Sequence, residues 1–203
     1  MRLSWMVICL TSTLLCNPLH AADSAKAAVA EDKAEKLEKK VVEEAPAPKK
    51  TETITPGEVQ AVDPAGQAPM DDSITCLART IYWEAKGAGP QDMSAVASVV
   101  LNRLGHEGFP DTICGVVKQG VETKACQFSW WCDGRPDQVE EEQRYDVAKE
   151  IARKALNQQL KDRTGGALYF HDRKVHPDWA KAYRKTAETR HFLFYKPNQA
   201  LAR

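Results

Sequence analysis

Glu84 is a carboxylate set at the edge of an otherwise apolar helix face, a place where an acid group can do work. It lies in the stretch SITCLARTIYWEAKG, Ser73 to Gly87, where Ile74, Leu77, Ala78, Ile81 and Ala85 recur at the i, i+3, i+4, i+7, i+11 spacing of an amphipathic helix. Ser73 is placed to cap the start, and Lys86 and Gly87 are residue types expected where such a helix stops. At ~100° per residue Glu84 falls beside Leu77, so the spacing predicts partial burial. Burial disfavours the ionised form, and so does the negative end of the helix dipole. Both push the pKa up, towards what a general acid needs. The plain alternative is a boundary residue with its head in water, so the other residues of the chain must decide.

The second concentration of chemistry is Cys126 to Gly134, CQFSWWCDG. Three aromatics mixed with Gln, Ser and Asp are unfavourable to expose and too polar for a simple core. Carbohydrate sites use that mixture, since a ring covers the C–H face of a sugar while amides and carboxylates bond its hydroxyls. Gln127, Phe128, Ser129, Trp130 and Asp133 are therefore candidate substrate contacts; the alternative is a stapled loop whose tryptophans pack beneath it. Beyond the leader lie four cysteines, Cys76, Cys114, Cys126 and Cys132. In an exported chain an even count reads as disulfides, and four allow three connectivities. The preferred pairing joins Cys126 to Cys132, closing a small loop, and Cys76 to Cys114, tying the first helix of the domain to its third. Full pairing would remove the nucleophile from a thiol peptidase built on His171 or His191. No metal or other cofactor is expected, because there is no C-x-x-C pair and His106, His171, His176 and His191 form no H-E-x-x-H or H-x-H pattern.

The elements that must hold these residues follow from composition. Met1 to Ala22 reads as a secretory leader: Arg2, an apolar run to Cys16, then Leu19-His20-Ala21-Ala22 before the expected cleavage. That run is too short to span a bilayer, so no transmembrane segment is expected in the mature chain. Residues 23–72 hold no aromatic, five prolines, and twelve acidic against seven basic side chains, and read as a disordered linker with transient helix over 25–44. Residues 73–203 hold fourteen of the fifteen aromatics and form the folded domain. Its twenty basic and sixteen acidic residues fall far short of a nucleic-acid-binding stripe, so no nucleic-acid partner is expected. A second helix is predicted from Pro90 to Gly105, with Asn102 a candidate to orient Glu84. A short third helix follows Asp111. The longest is expected from Val139 to about Leu160, with Val147, Ala148, Ile151, Ala152, Ala155 and Leu156 facing inward. ALYFH, 167–171, and HFLFY, 191–195, read as strands, with a partly helical loop between them. The fold class is α+β, mainly helical with a small antiparallel sheet.

Six ordered motifs, LARTIYWEAKG, MSAVASVVLNRL, FPDTICGVV, CQFSWWCDG, GGALYFH and HFLFY, together resemble the SleB/CwlJ-type cell wall hydrolases over nearly all of Ser73 to Tyr195. The resemblance implies a lysozyme-like or lytic-transglycosylase-like domain acting on peptidoglycan glycan strands, with the catalytic glutamate at Glu84; the paired cysteines that would staple it are a departure from the spore enzymes, and they put a role in germination in doubt. It also points to the QFS segment, Tyr169 and His191 as cleft-lining. An exported protein, periplasmic or secreted and monomeric, is expected. Glycosidic cleavage needs a proton on the leaving oxygen and stabilisation of positive charge at the sugar carbon. Asp133 and Asp92 are the candidates for a second carboxylate of a muramidase. Without one, the muramic 6-hydroxyl would attack, the lytic transglycosylase route preferred here. A wall-binding module without activity is a further alternative.

Overall fold

The computed structural model describes residues 18–198. Its elements are α1 (Pro18–Val42), α2 (Pro56–Ala61), α3 (Ser73–Ala85), α4 (Pro90–Arg103), α5 (Ile113–Lys118), α6 (Glu142–Leu156), β1 (Tyr169–Asp172), β2 (Tyr183–Glu188) and β3 (Phe192–Pro197), with 3₁₀ turns at Ser129–Trp131 and Asp178–Lys181. None of the described helices is long and apolar enough to cross a membrane.

The helix bearing Glu84, α3, is the centre of the molecule, in contact with α1, α4, α5 and α6. It is buried on nearly all sides: besides the predicted apolar stripe, the polar Thr75, Arg79 and Thr80 are enclosed. Its cap is Asp72, not Ser73. The Asp72 carboxylate accepts the Thr75 amide at 2.9 Å, while Ser73 Oγ donates to Glu38 at 2.7 Å. A cysteine bridge, Cys76–Cys114, locks α3 to α5, and Cys126–Cys132 closes the aromatic loop. Both pairings agree with the sequence reading.

What covers the polar face of α3 is the segment read as a linker, and that expectation is overturned. From Pro18 to Val42 the chain is one helix, and Ala30, Ala34 and Leu37, at i, i+4 and i+7, are buried in the common core together with Ile54, Val59 and Val62. Small side chains let α1 lie close to its neighbours, so burial is achieved without an aromatic. Polar ties complete the docking. Glu38, itself buried, accepts from Ser73 Oγ and from the Ile113 amide, and the Asn157 side chain exchanges two 2.9 Å hydrogen bonds with the backbone of Ile54. The leader expectation falls mostly on residues 1–17, outside the described residues.

Helix α4 keeps its predicted start at Pro90. Helix α6 is shorter than predicted, beginning at Glu142, and α1 is the longest helix among the described residues. Tyr145, Ala148, Ala152 and Ala155 form its buried seam, whereas Val147, expected inside, is exposed because it lies ~100° off the seam. The sheet has order β1-β3-β2 and is antiparallel throughout, with Tyr169 opposite Tyr195 and Phe170 opposite Phe194. Its β2 strand was missed: YRKTAE is charged and runs along an edge, joined to β3 with a bulge at Thr186.

Candidate active site

Glu84 sits in the last turn of α3, half-buried, at the wall of a cleft of about 600 Å³. Trp83, Ser129, Trp130, Asp133 and Asp137 share the lining. No described group hydrogen-bonds to the Glu84 carboxyl, in contrast to the capping carboxylates Asp72 and Asp162. Removal from water without compensating donors pushes its pKa up from 4.5 to about 7, and the positive charge of Arg103 only partly opposes that rise. A carboxyl titrating near neutrality can hold a proton and also give it away.

Arg103 was not singled out from the sequence. It is 3 % exposed; its Nε donates to the Leu168 carbonyl at 2.7 Å, and its guanidinium lies 5.0 Å from the Phe128 ring, 5.2 Å from Phe109 and 5.6 Å from Tyr169. Its Nη1 has no hydrogen-bond partner among the described residues. Burial lowers the pKa of this arginine to about 10, while the charges of Tyr169 and Glu84 act in the other direction. Arg103 thus provides a dry positive field behind Glu84, one that acts on the carboxylate more strongly than a solvated cation would.

The remaining predicted site residues separate into two groups. Ser129, Trp130 and Asp133 reach the cleft. Trp130 is 7 % exposed and stacks on Trp83, with ring centroids 6.5 Å apart and planes 18° apart, so the two indoles form one aromatic wall beside Glu84. Asp133 is exposed and its Oδ1 accepts the Arg135 amide at 2.9 Å. Phe128, Gln127, Tyr169 and His191 do not line this cleft. Phe128 points inward beneath Arg103; Gln127 is an exposed residue whose amide donates to Gln119 O. Tyr169 packs into a ring cluster with Trp179 and Tyr183. His191 Nδ1 lies 3.0 Å from Asp92 Oδ2 and its amide bonds Asp92 Oδ1, which also removes Asp92 as a second acid at the cleft. Asn102 donates to Asp162, Thr164 and Ala167 in the turn before β1 and leaves Glu84 alone.

Trp83 and the 136–140 wall were not singled out as site residues from the sequence, and Lys86 was read only as a helix-end signal. Lys86 Nζ stands 4.1 Å over the Trp83 ring and 2.7 Å from Glu140 across the cleft mouth. Trp83 Nε1 donates to Asp137 O at 3.2 Å, and the Tyr82 hydroxyl accepts the amides of Glu140 and Glu141, each at 3.1 Å. The one legible signal was WEAK itself: a tryptophan and a lysine flanking the glutamate.

The family profile described as Cell Wall Hydrolase matches residues 87–195, starting three residues after Glu84. The chain is 35 % identical over 109 residues to a spore cortex-lytic enzyme of Halalkalibacterium halodurans, covering 53 % of this chain and 28 % of that one. A spore cortex-lytic enzyme of Oceanobacillus iheyensis is 37 % identical over 104 residues, covering 51 % and 34 %. The chain therefore spans about a third of the length of these relatives. Among solved structures, the catalytic domain of the Bacillus cereus SleB protein superposes with a TM-score of 0.50 at 27 % identity, over 61 % of this chain and 89 % of that domain. The catalytic domain of the germination-specific lytic transglycosylase SleB from Bacillus anthracis gives 0.50 and 27 %, over 64 % and 98 %.

Proposed function

Because this chain belongs to the cell wall hydrolase family, we propose that it cleaves peptidoglycan glycan strands between N-acetylmuramic acid and N-acetylglucosamine, with Glu84 as general acid and then base. The observation that carries the assignment is the Glu84 carboxyl, without a hydrogen-bond partner among the described residues and raised to about 7, beside the Trp83–Trp130 wall. The family match begins beyond Glu84, so its role rests on this geometry and on the sequence motif around it.

Protonated Glu84 gives its proton to the oxygen leaving the muramic C1 as the C1–O bond breaks. The carboxylate left behind is stabilised by the Arg103 field. It then takes the proton of the muramic 6-hydroxyl as that oxygen bonds C1, leaving a 1,6-anhydro end and a protonated Glu84. No water is consumed and the acid is regenerated. What favours this route over a retaining muramidase is the setting of Asp133, the remaining candidate for a second carboxylate: it is exposed, and its Oδ1 is taken up by the Arg135 amide. The activity of a lytic transglycosylase is named for the Bacillus anthracis relative.

The test is digestion of purified sacculi with product ends read by mass. Anhydromuramic ends are expected. Reducing muramic ends would make the enzyme a muramidase, and freed stem peptides on intact glycan would refute both.

A further inference from the structure

The cleft wall opposite Glu84 has its back to the N-terminal segment, and the contact is made by polar groups in a dry place. Asp63 and Arg79 are both buried. Arg79 Nε donates to Asp63 Oδ2 at 2.9 Å, its Nη2 stands 2.8 Å from that oxygen in the ion pair and donates to the Ala68 carbonyl at 3.1 Å, and the Tyr145 hydroxyl donates to Oδ2 at 2.7 Å. The other oxygen, Oδ1, accepts the amides of Gln67 and Ala68, both at 2.7 Å. Asp63 thus fixes the loop that follows it and the arginine in front of it. From Arg79 the chain of bonds continues: Nη1 donates at 3.1 Å to the carbonyl of Asp137, the oxygen that Trp83 Nε1 also grips. The loop itself reaches the wall as well, since the Val139 amide donates to Gly66 O at 3.0 Å. Contact there is close enough that a Cβ on Gly66, at φ +63°, would lie 2.3 Å from Val139 Cβ.

We infer that Asp63 is a positioning residue for the active site: through Arg79 and the Gly66 loop it sets where the 137–140 wall stands relative to Trp83 and Glu84. The inference rests on the proposed glycan-cleaving role of the cleft. A buried ion pair is a poor source of net stability, but without the Asp63 carboxylate the buried Arg79 Nε loses its acceptor and the guanidinium keeps only the carbonyls of Ala68 and Asp137, each at 3.1 Å, so its hold on Asp137 is no longer fixed in place. A substrate needs both faces of the cleft in register, and a displacement of about 1 Å far from the chemistry lowers turnover efficiency by as much as ~10²-fold. The wall touches sugar without exchanging protons with it. Its displacement should therefore act on KM more than on the pH dependence of kcat, which belongs to Glu84.

The experiment uses the full chain with two substitutions, Asp63→Asn, which removes the charge, and Gly66→Ala, which pushes on Val139 without touching any charge. Each is studied well below its own Tm. Amide hydrogen exchange reads the wall directly; cleavage of peptidoglycan glycan strands freed of stem peptides reads its effect. In both variants, exchange at Val139, Glu140 and Glu141 should quicken while that of α4 is unchanged, and KM should rise ~10-fold or more with the pH profile of kcat retained. Unchanged exchange at 139–141, or a raised KM absent from both folded variants, overturns the inference. If the wild type itself leaves the glycan intact while the wall amides still loosen in the variants, the support of the wall stands and the functional proposal alone fails.

Discussion

At the scale of single residues, the proposed chemistry depends on how Glu84 is charged. Folding raises its pKa from 4.5 to about 7, so between those values the folded chain binds more protons than the unfolded one, and stability falls as pH rises through the window. Glu84→Gln has nothing to titrate there. It should match the wild type in Tm at pH 4 and melt higher at pH 8, where its stability gain is up to about 3 kcal/mol before allowance for the part of the carboxyl still in water. Thermal melts across pH 4 to 8 check this; equal Tm values at pH 8 would mean the carboxyl is solvated. Arg103 acts on the same group with the opposite sign. Since its charge lowers the Glu84 pKa, Arg103→Met should move the basic limb of the activity profile to higher pH and lower kcat, because the ionised intermediate state loses its support. A basic limb that stays put would confine Arg103 to packing. Glu84 was legible because a carboxylate at the lip of an apolar stripe is a local pattern. Arg103 was not, since its partners Phe109, Phe128 and Tyr169 come from three separate stretches of the chain.

At the scale of elements, the two disulfides have different tasks. Cys76 and Cys114 are 38 residues apart in sequence and join α3 to α5; Cys126 and Cys132 are 6 apart and enclose the turn that presents Ser129 and Trp130. Loop entropy grows with length, so losing the first bridge should destabilise by about 4 kcal/mol and losing the second by about 2 kcal/mol. Replacing Cys126 and Cys132 together by Ser should weaken glycan binding more than it lowers Tm, and paired melts and sedimentation with sacculi measure both. A large fall in Tm with binding intact would reverse the assignment. Helices α3, α4 and α5 could be read in the sequence because each carries its own period and its own end signals. Strand β2 could not. YRKTAE has no apolar alternation of its own and becomes a strand only because β3 offers an edge. The same limit applies to Phe128, which looked like a sugar-facing ring and is instead the floor beneath Arg103.

At the scale of the whole molecule, the domain matched by the family is not the whole folding unit. Residues 23–72 looked like a linker because they lack aromatics and carry many charges, both fair signs of disorder. The stripe Ala30, Ala34, Leu37 was present but weak, since alanine contributes little to an apolar signal and the surface α1 packs on is assembled from α2, α3 and α6. A chain beginning at Met70 should therefore lose its cooperative melt, having exposed the polar face of α3 and left Arg79 without Asp63. Leu37→Ala, a milder change, should destabilise the full chain by about 2 to 5 kcal/mol. Circular dichroism melts decide; a fully cooperative transition in the shortened chain would return 23–72 to the status of a tether.

The central claim is that one carboxyl gives and then retrieves the proton of glycan cleavage. Glu84→Gln preserves shape while removing the exchangeable proton, and turnover of purified sacculi by this variant, measured beside its binding to them, addresses the claim without intermediaries. Binding should persist and turnover should fall by ~10²-fold or more, the usual contribution of general acid catalysis. Digestion at the wild-type rate by a folded Glu84→Gln protein would contradict the account and return Glu84 to the core of α3.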